Sequence, residues 1–301
     1  MSEPLAWING LLQPFSQTGL PVWDLGVVAG AAVTEMARTY HHRPFRLDQH
    51  IDRLTNSLSA LGFPQRWSSE ELATAAQEII RNNAALISKN EDLGIVLFST
   101  AGSNPTYLAG LANQLTTVIH TFVLPFQLWR SGLQHGVRLR IPNVRQIPED
   151  CFPVEHKVRN RLHWWLADQQ AARLEPGSKA LLLDHAGFIT ETSTSCFFLV
   201  HDGKISTPDR GTLKSLSSEV VEELAAVLQI PFFRRQISVD ELSSADEAFL
   251  SSTPVGLLPV SHINGRLFEI SQPTSVFSRL AANWETLTGL NPAQQILDAE
   301  T

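Results

Sequence analysis

The spacing of apolar residues changes period several times along the chain, and each change marks an element. LAWINGLLQ (5–13) places Asn9-Gly10 between two short apolar runs, the signature of a β-hairpin with a two-residue turn. Gly26 and Gly30 break an apolar stretch that ends in Thr34-Glu35-Met36-Ala37-Arg38, and His41-His42-Arg43-Pro44 reads as a turn between short strands. From Leu47 the period becomes helical: Ile51, Leu54, Leu58 and Leu61 recur on one face, with Gly62 in the C-cap place. A second helix is expected near 69–86, opened by Ser68 or Ser69 and Glu70-Glu71, followed by strand-like runs at 94–100 and 115–123.

PFQLWRSG (125–132) reads as a connection, and 136–144 then alternates as a strand. Residues 157–172 have helical composition, and 180–207 reads as a β-meander turning at 184–187 and 201–204. Val220, Val221, Leu224, Val227 and Leu228 define one face of a helix near 217–229. Strands around 247–252 and 257–262, an Asn264-Gly265 turn and a helix near 273–288 complete the chain. Many hairpins and few βαβ units predict a mixed α+β fold rather than a doubly wound parallel sheet. At 301 residues two domains are expected: a smaller N-terminal α/β domain over 1–126, a connector over 127–134, and a larger C-terminal domain over 135–301.

Composition narrows the function classes. A net charge of −7 argues against a polyanion-binding protein. Two cysteines, Cys151 and Cys196, do not make a disulfide framework. MSEPLAWINGLLQPF lacks the basic start and apolar run of a signal peptide, and no stretch is long and apolar enough for a membrane span, so a cytoplasmic protein is expected. No metal site is expected: His41 and His42 are adjacent and would face opposite ways on a strand, and His156 and His163 lack partners at ligand spacing.

Only five of the 23 basic residues are lysines. Lys89, Lys179, Lys204 and Lys214 lie in polar turns or connectors. Lys157 falls between Phe152-Pro153-Val154 and Leu162-His163-Trp164-Trp165-Leu166, with Arg159 and Arg161 beside it, surroundings that favour a neutral, nucleophilic amine. A lysine snorkelling from a helix start fits the same pattern. Glu191 is either an exposed strand position or a buried functional carboxylate. Ser215, Ser217 and Ser218 are ordinary caps or an anion site at a helix N-terminus.

Seven separated motifs then occur in one order: WINGLL, DLGVVAG, RPFRLDQHIDRLTNSLSALG, HKVRNRL, DHAGFITETSTSCFF, TPDRGTLKSLS and AFLSSTPVGLLPV. With them the chain resembles the fold-type IV pyridoxal-phosphate enzymes, which include branched-chain and D-amino-acid aminotransferases and 4-amino-4-deoxychorismate lyase. The resemblance implies a two-domain fold with pyridoxal 5'-phosphate between the domains, the larger one binding the cofactor, and a homodimer acting on a small amino acid or 2-oxo acid. It matches Lys157 to the Schiff-base lysine and Glu191 to the carboxylate paired with the pyridinium nitrogen. Arg53, Leu216, Ser217 and Thr253 match phosphate-binding positions. The activity implied is amino-group transfer; the lyase, yielding p-aminobenzoate and pyruvate, is the alternative, and a homologue that binds cofactor without turnover a further one.

The chain departs from the family on the substrate side. Thr34 stands where an aromatic residue usually precedes the Glu-x-x-Arg run, and Asp24-Leu25-Gly26 where the family has Asp-Arg-Gly. Leu162 replaces the tyrosine of branched-chain enzymes, which leaves Tyr40 and Tyr107 as the only tyrosines. Ala101 lies where the D-amino-acid type carries a carboxylate-binding arginine, and Pro254 removes an N–H donor after Thr253. Lys157, Asn160, Arg161 and Leu162 follow the lyase pattern, whereas Glu35 follows the transaminases. Thr34, Tyr40, Ala101, Tyr107, Arg161 and Pro254 are therefore the candidate substrate-pocket residues.

Overall fold

The computed structural model describes residues 3–108, 115–270 and 272–299. The chain divides into two compact units, one of residues 1–124 with 156–160 and the other of 125–155 with 161–301.

The first unit is an antiparallel sheet with helices on one face. Its strands are β1 (Leu5–Ile8), β2 (Leu11–Pro14), β3 (Ala32–Tyr40), β4 (Arg43–Phe45), β5 (Leu93–Thr100) and β6 (Thr117–Val123), in the spatial order β2-β1-β6-β5-β3-β4. A short helix, α1 (Leu25–Val28), is capped by Asp24, which accepts from the Gly26 N–H at 2.7 Å. The Asn9-Gly10 turn has φ of 50° and 96°, as the hairpin requires. Helices α2 (Leu47–Ala60) and α3 (Ser69–Ala84) bury Ile51, Leu54, Leu58, Leu72 and Ile79 against Val33, Ala37, Ile95, Leu97 and Ile119. Truncating a leucine or isoleucine of this core to alanine costs about 2–5 kcal/mol. The expected start of α3 is a capping box, Ser68 and Glu71 each holding the other's N–H.

The second unit is built on a nine-stranded mixed sheet. Its elements in chain order are α4 (Gln127–His135), β7 (Val137–Arg140), α5 (Leu162–Leu174), β8 (Lys179–Leu183), β9 (Ile189–Thr192), β10 (Cys196–His201), β11 (Lys204–Thr207) and α6 (Leu216–Val227). After them come β12 (Phe232–Arg234), β13 (Glu247–Ser252), β14 (Gly256–Ile263), β15 (Arg266–Leu267), α7 (Val276–Thr288) and α8 (Pro292–Asp298). The spatial order is β12-β11-β10-β13-β14-β7-β8-β9, with β15 on β14. Phe198 and Phe249 stack at 4.8 Å in its core, and Trp164, Ala167 and Ala171 of α5 pack on Ala180 and Leu182 of β8.

Two expectations are corrected. The stretch 127–134 is not a connector but helix α4, which belongs to the second unit. Pro125 and Ser131-Gly132 look like loop, yet Pro125 precedes the helix and Gly132 lies within it. Residues 157–161 are not helical either. The Lys157 carbonyl accepts from Thr34 N–H at 2.9 Å and Arg159 N–H donates to Ala32 O at 2.9 Å, so this main chain runs antiparallel along the edge of β3, and α5 starts only at Leu162.

Candidate active site

In the first unit Val158 bridges Val33, which puts Lys157 opposite Thr34 and Arg159 opposite Ala32. Side chains alternate across the pleat. Val158 therefore shares the helix-covered face with Val33, while Lys157 and Arg159 leave on the other face with Ala32, Thr34 and Met36. Among the five lysines Lys157 alone is not exposed.

One residue beyond Thr34 on β3, on the helix-covered face, stands Glu35, 1% exposed. Arg53 of α2 donates to both its oxygens, Nε to Oε1 at 2.6 Å and Nη2 to Oε2 at 2.8 Å. His50 Nδ1 lies 2.9 Å from Oε2. Burial raises the Glu35 pKa, but the His50 hydrogen bond and the Arg53 charge outweigh it and hold the carboxyl at about 2. Burial also pulls the His50 pKa down, against the pull of Glu35, and the charges of Arg53 and Lys157 add to the lowering. An ionised Glu35 only accepts, so a neutral His50 carries its proton on Nδ1 and donates it to Glu35. Lys157 thus sits within electrostatic reach of this buried group.

In the second unit Glu191 on β9 is 8% exposed, and its Oε1 accepts from Leu213 N–H at 3.2 Å. That bond ties β9 to the loop entering α6. The same loop is held at Gly211, whose N–H donates to Glu149 at 2.6 Å and whose carbonyl accepts from Gln146 at 2.9 Å. Gly211 has φ of 69°, and a Cβ there would meet Thr190 at 2.9 Å, so both conformation and space require glycine. At the start of α6, Ser217 Oγ lies 2.9 Å from Ser215 Oγ and accepts from Ser251 Oγ at 3.1 Å. The buried Ser218 Oγ has no hydrogen-bond partner. Thr253 and Pro254 lie in the turn between β13 and β14, just beyond Ser251. Arg161 donates to the Ser193 carbonyl. Burial lowers its pKa, and the carboxylates of Glu191 and Asp168 act against that.

The structure thus gathers Lys157, Thr34 and Arg53 in one unit and Glu191, Leu216, Ser217, Thr253, Pro254 and Arg161 in the other. Ala101 follows β5, its N–H donating to Ala31 O at 3.0 Å, in the row after Ala32 and Thr100. The tyrosines are placed elsewhere. Tyr40 is buried under Arg38, 3.9 Å from the guanidinium, and beside Phe45. It stands about 20 Å of strand beyond Thr34. Tyr107 is 63% exposed on a turn. Sequence reasoning does not assign Glu35 and His50 to the surroundings of the lysine, and it passes over Ser251 altogether. An acid inside the apolar run of β3 is the available signal for Glu35. Among the described residues, the one cluster of metal-ligand types is His201, Asp202 and Asp246, all exposed.

The pattern of the amino-transferase class IV family matches residues 32–263. The chain is 30% identical over 283 residues to a Thermotoga maritima protein named probable branched-chain-amino-acid aminotransferase, covering 93% of this chain and 95% of that one. It is 28% identical over 271 residues to the D-alanine aminotransferase of Bacillus licheniformis, covering 88% and 90%. The crystal structure of a T.th. branched-chain amino acid aminotransferase with pyridoxamine 5'-phosphate superposes with a TM-score of 0.82 at 26% identity, over 96% of this chain and 95% of that one. The chain belongs to the class IV aminotransferases, enzymes that use pyridoxal phosphate.

The residues present suit that cofactor. A phosphate is an acceptor of several hydrogen bonds, and the start of α6 offers the Ser217 hydroxyl beside a buried Ser218 hydroxyl that lacks a partner. A pyridinium needs an acid beside it, and Glu191 is a buried carboxylate in a run without other charges. No helix among the described residues is long and apolar enough to cross a membrane.

Proposed function

We propose that this chain transfers the amino group of an α-amino acid to a 2-oxo acid, with Lys157 as the residue that binds the cofactor covalently and moves the proton. The observation that carries this reading is the placement of Lys157: the least exposed of the lysines, fixed by main-chain hydrogen bonds on β3. The bound cofactor supplies an electron sink for the electrons of the substrate's α-carbon. Lys157 Nζ takes the proton from the α-carbon and returns it to the cofactor's C4′ carbon. Glu191 keeps the ring nitrogen protonated, because an ionised carboxylate beside it favours the charged form. Ser217, the Leu216 and Ser217 main chain at the start of α6, Thr253 and Arg53 hold the phosphate. Arg53 spends two of its five N–H donors on Glu35, so its charge is already balanced.

The donor is an amino acid of the branched-chain or D-amino-acid kind, supported by the two groups of relatives, and the protein works in the cytoplasm as a homodimer. Exposed Leu162, Trp165 and Leu166 on α5 support self-association. Purified protein is expected to show the visible absorption of lysine-bound cofactor, and Lys157→Ala to lose both this absorption and turnover. A panel of L- and D-amino acids should convert the cofactor to its amine form with at least one donor. A colourless protein that takes up no cofactor would refute the reading, and p-aminobenzoate formation without transfer would reassign it to the lyase.

A further inference from the structure

The helix-free face of the first sheet carries a guanidinium that the reaction described so far does not use. Arg159 lies two residues beyond Lys157 on the same extended segment, so alternation puts both side chains on one face. It is exposed, and its Cζ sits 4.8 Å from the centroid of the Phe98 ring. Register fixes where that is. Arg159 starts in the cross-strand row of Ala32 and Thr100, whereas Phe98 belongs to the row of Thr34, and Thr34 is opposite Lys157. The side chain therefore leans diagonally, and its charge comes to rest over the row that begins with the reactive lysine. Strand spacing puts the Cα atoms of Lys157 and Phe98 about 10 Å apart, with only Thr34 between them. A second sign of the same placement is His120, on this face one strand further on. Burial lowers its pKa and a Thr121 main-chain hydrogen bond opposes this, while the charge of Arg159 adds to the lowering.

Stacking on Phe98 orients the Arg159 guanidinium plane, and the fork of a guanidinium matches the shape of a planar anion. Every α-amino acid and 2-oxo acid brings such an anion to the lysine.

We propose that Arg159 is a specificity-determining residue that binds the α-carboxylate of the substrate, with Phe98 as its platform. This rests on the reading of Lys157 as the reactive amine. A guanidinium–carboxylate pair is bidentate and charge-assisted, so its loss weakens carboxylate binding by about 10- to 100-fold.

The test uses the cofactor-loaded enzyme and two probes of equal shape, 4-methylvalerate and its neutral primary amide, with Kd measured by calorimetry. Arg159→Gln should raise the Kd of the carboxylate by about 10- to 100-fold and leave that of the amide unchanged, with cofactor content and absorption as in the wild type. Arg159→Lys should recover part of the loss, and KM for the amino donor should rise more than kcat falls. An unchanged carboxylate Kd in Arg159→Gln overturns the proposal. Equal weakening of both probes also overturns it, since the arginine would then act only by packing on Phe98. Wild-type protein without cofactor absorption would instead defeat the reading of Lys157 itself, an outcome visible before any variant is made.

Discussion

Arg53 and Glu35 form a two-point ion pair with a side-chain exposure of 13% on the arginine and 0% on the carboxylate. The pair joins α2 to β3 one residue from the position opposite Lys157, so the strand that positions the amine is pinned by charge as well as by packing. His50 closes the group from the same helix, one turn before Arg53. A buried pair of this kind need not add stability over an apolar equivalent, but breaking it leaves a charge without compensation.

Glu35→Gln is accordingly expected to destabilise the protein by about 3–5 kcal/mol, read from the midpoint of urea unfolding. The double variant Glu35→Gln/Arg53→Met should be more stable than the single one, because no unpaired charge remains. A double variant no better than Glu35→Gln would show that shape rather than charge dominates here.

Acid should unfold the protein over two overlapping ranges. Glu35 titrates at about 2 when folded against an ordinary 4.5, so its contribution is complete above pH 4.5 and is lost as pH falls toward 2. His163 is lowered from 6.5 to about 4 by burial and by Arg161. The unfolded chain takes up that proton first, so stability also falls as pH drops from 6.5 to 4. Buried His50 acts in the same direction. His163→Gln should make the upper range of a stability–pH curve shallower, leaving the His50 part and the lower range, and a curve unaltered between pH 6.5 and 4 would contradict the assignment.

Replacing Glu191 by glutamine keeps its shape and removes its charge. Turnover should fall by about 100-fold or more, since the ring nitrogen is no longer held protonated, while cofactor remains bound at the start of α6. The absorption of the bound cofactor should shift along with the loss. Full activity in Glu191→Gln would exclude this residue as the ring partner.

Ser217→Ala removes a hydroxyl that sits between Ser215 and Ser251. Cofactor affinity of the apoprotein, followed by absorbance titration, should weaken about 10-fold, the equivalent of one hydrogen bond to a charged group. Ser244→Ala, whose hydroxyl faces Glu241 O on the surface, is the matched control.

Local rules make much of the fold readable from the sequence. Asn9-Gly10 turns where its residue types demand, the Ser68–Glu71 box opens α3, and Gly62 ends α2 with φ of 69°. Long-range pairing is what escapes. Residues 157–159 look helical because Arg159, Arg161 and Leu162 are good helix formers, but their main-chain partners lie on β3, far earlier in the chain. Helix α4 is hidden by Ser131-Gly132, and α8 is a short helix that follows Gly289 closely and opens at Pro292. At the site, Lys157 stands out as the one lysine set between two apolar runs, and Glu191 as a lone charge in its strand. Ser251 gives no such signal, because one serine among Ser251, Ser252 and Thr253 is chosen only by its register against α6.

The short return of residues 156–160 to the first unit has a consequence for biosynthesis. A nascent chain that has emerged only through residue 124 holds every β-strand of the first sheet but lacks the segment carrying the amine, and the early half of β3 presents open hydrogen-bonding groups to solvent. That edge is closed only after the stretch 125–155 of the second unit has been made. A fragment ending at 124 would carry the Glu35–Arg53 pair without the lysine, and a peptide spanning 150–162 supplied in trans is its natural complement.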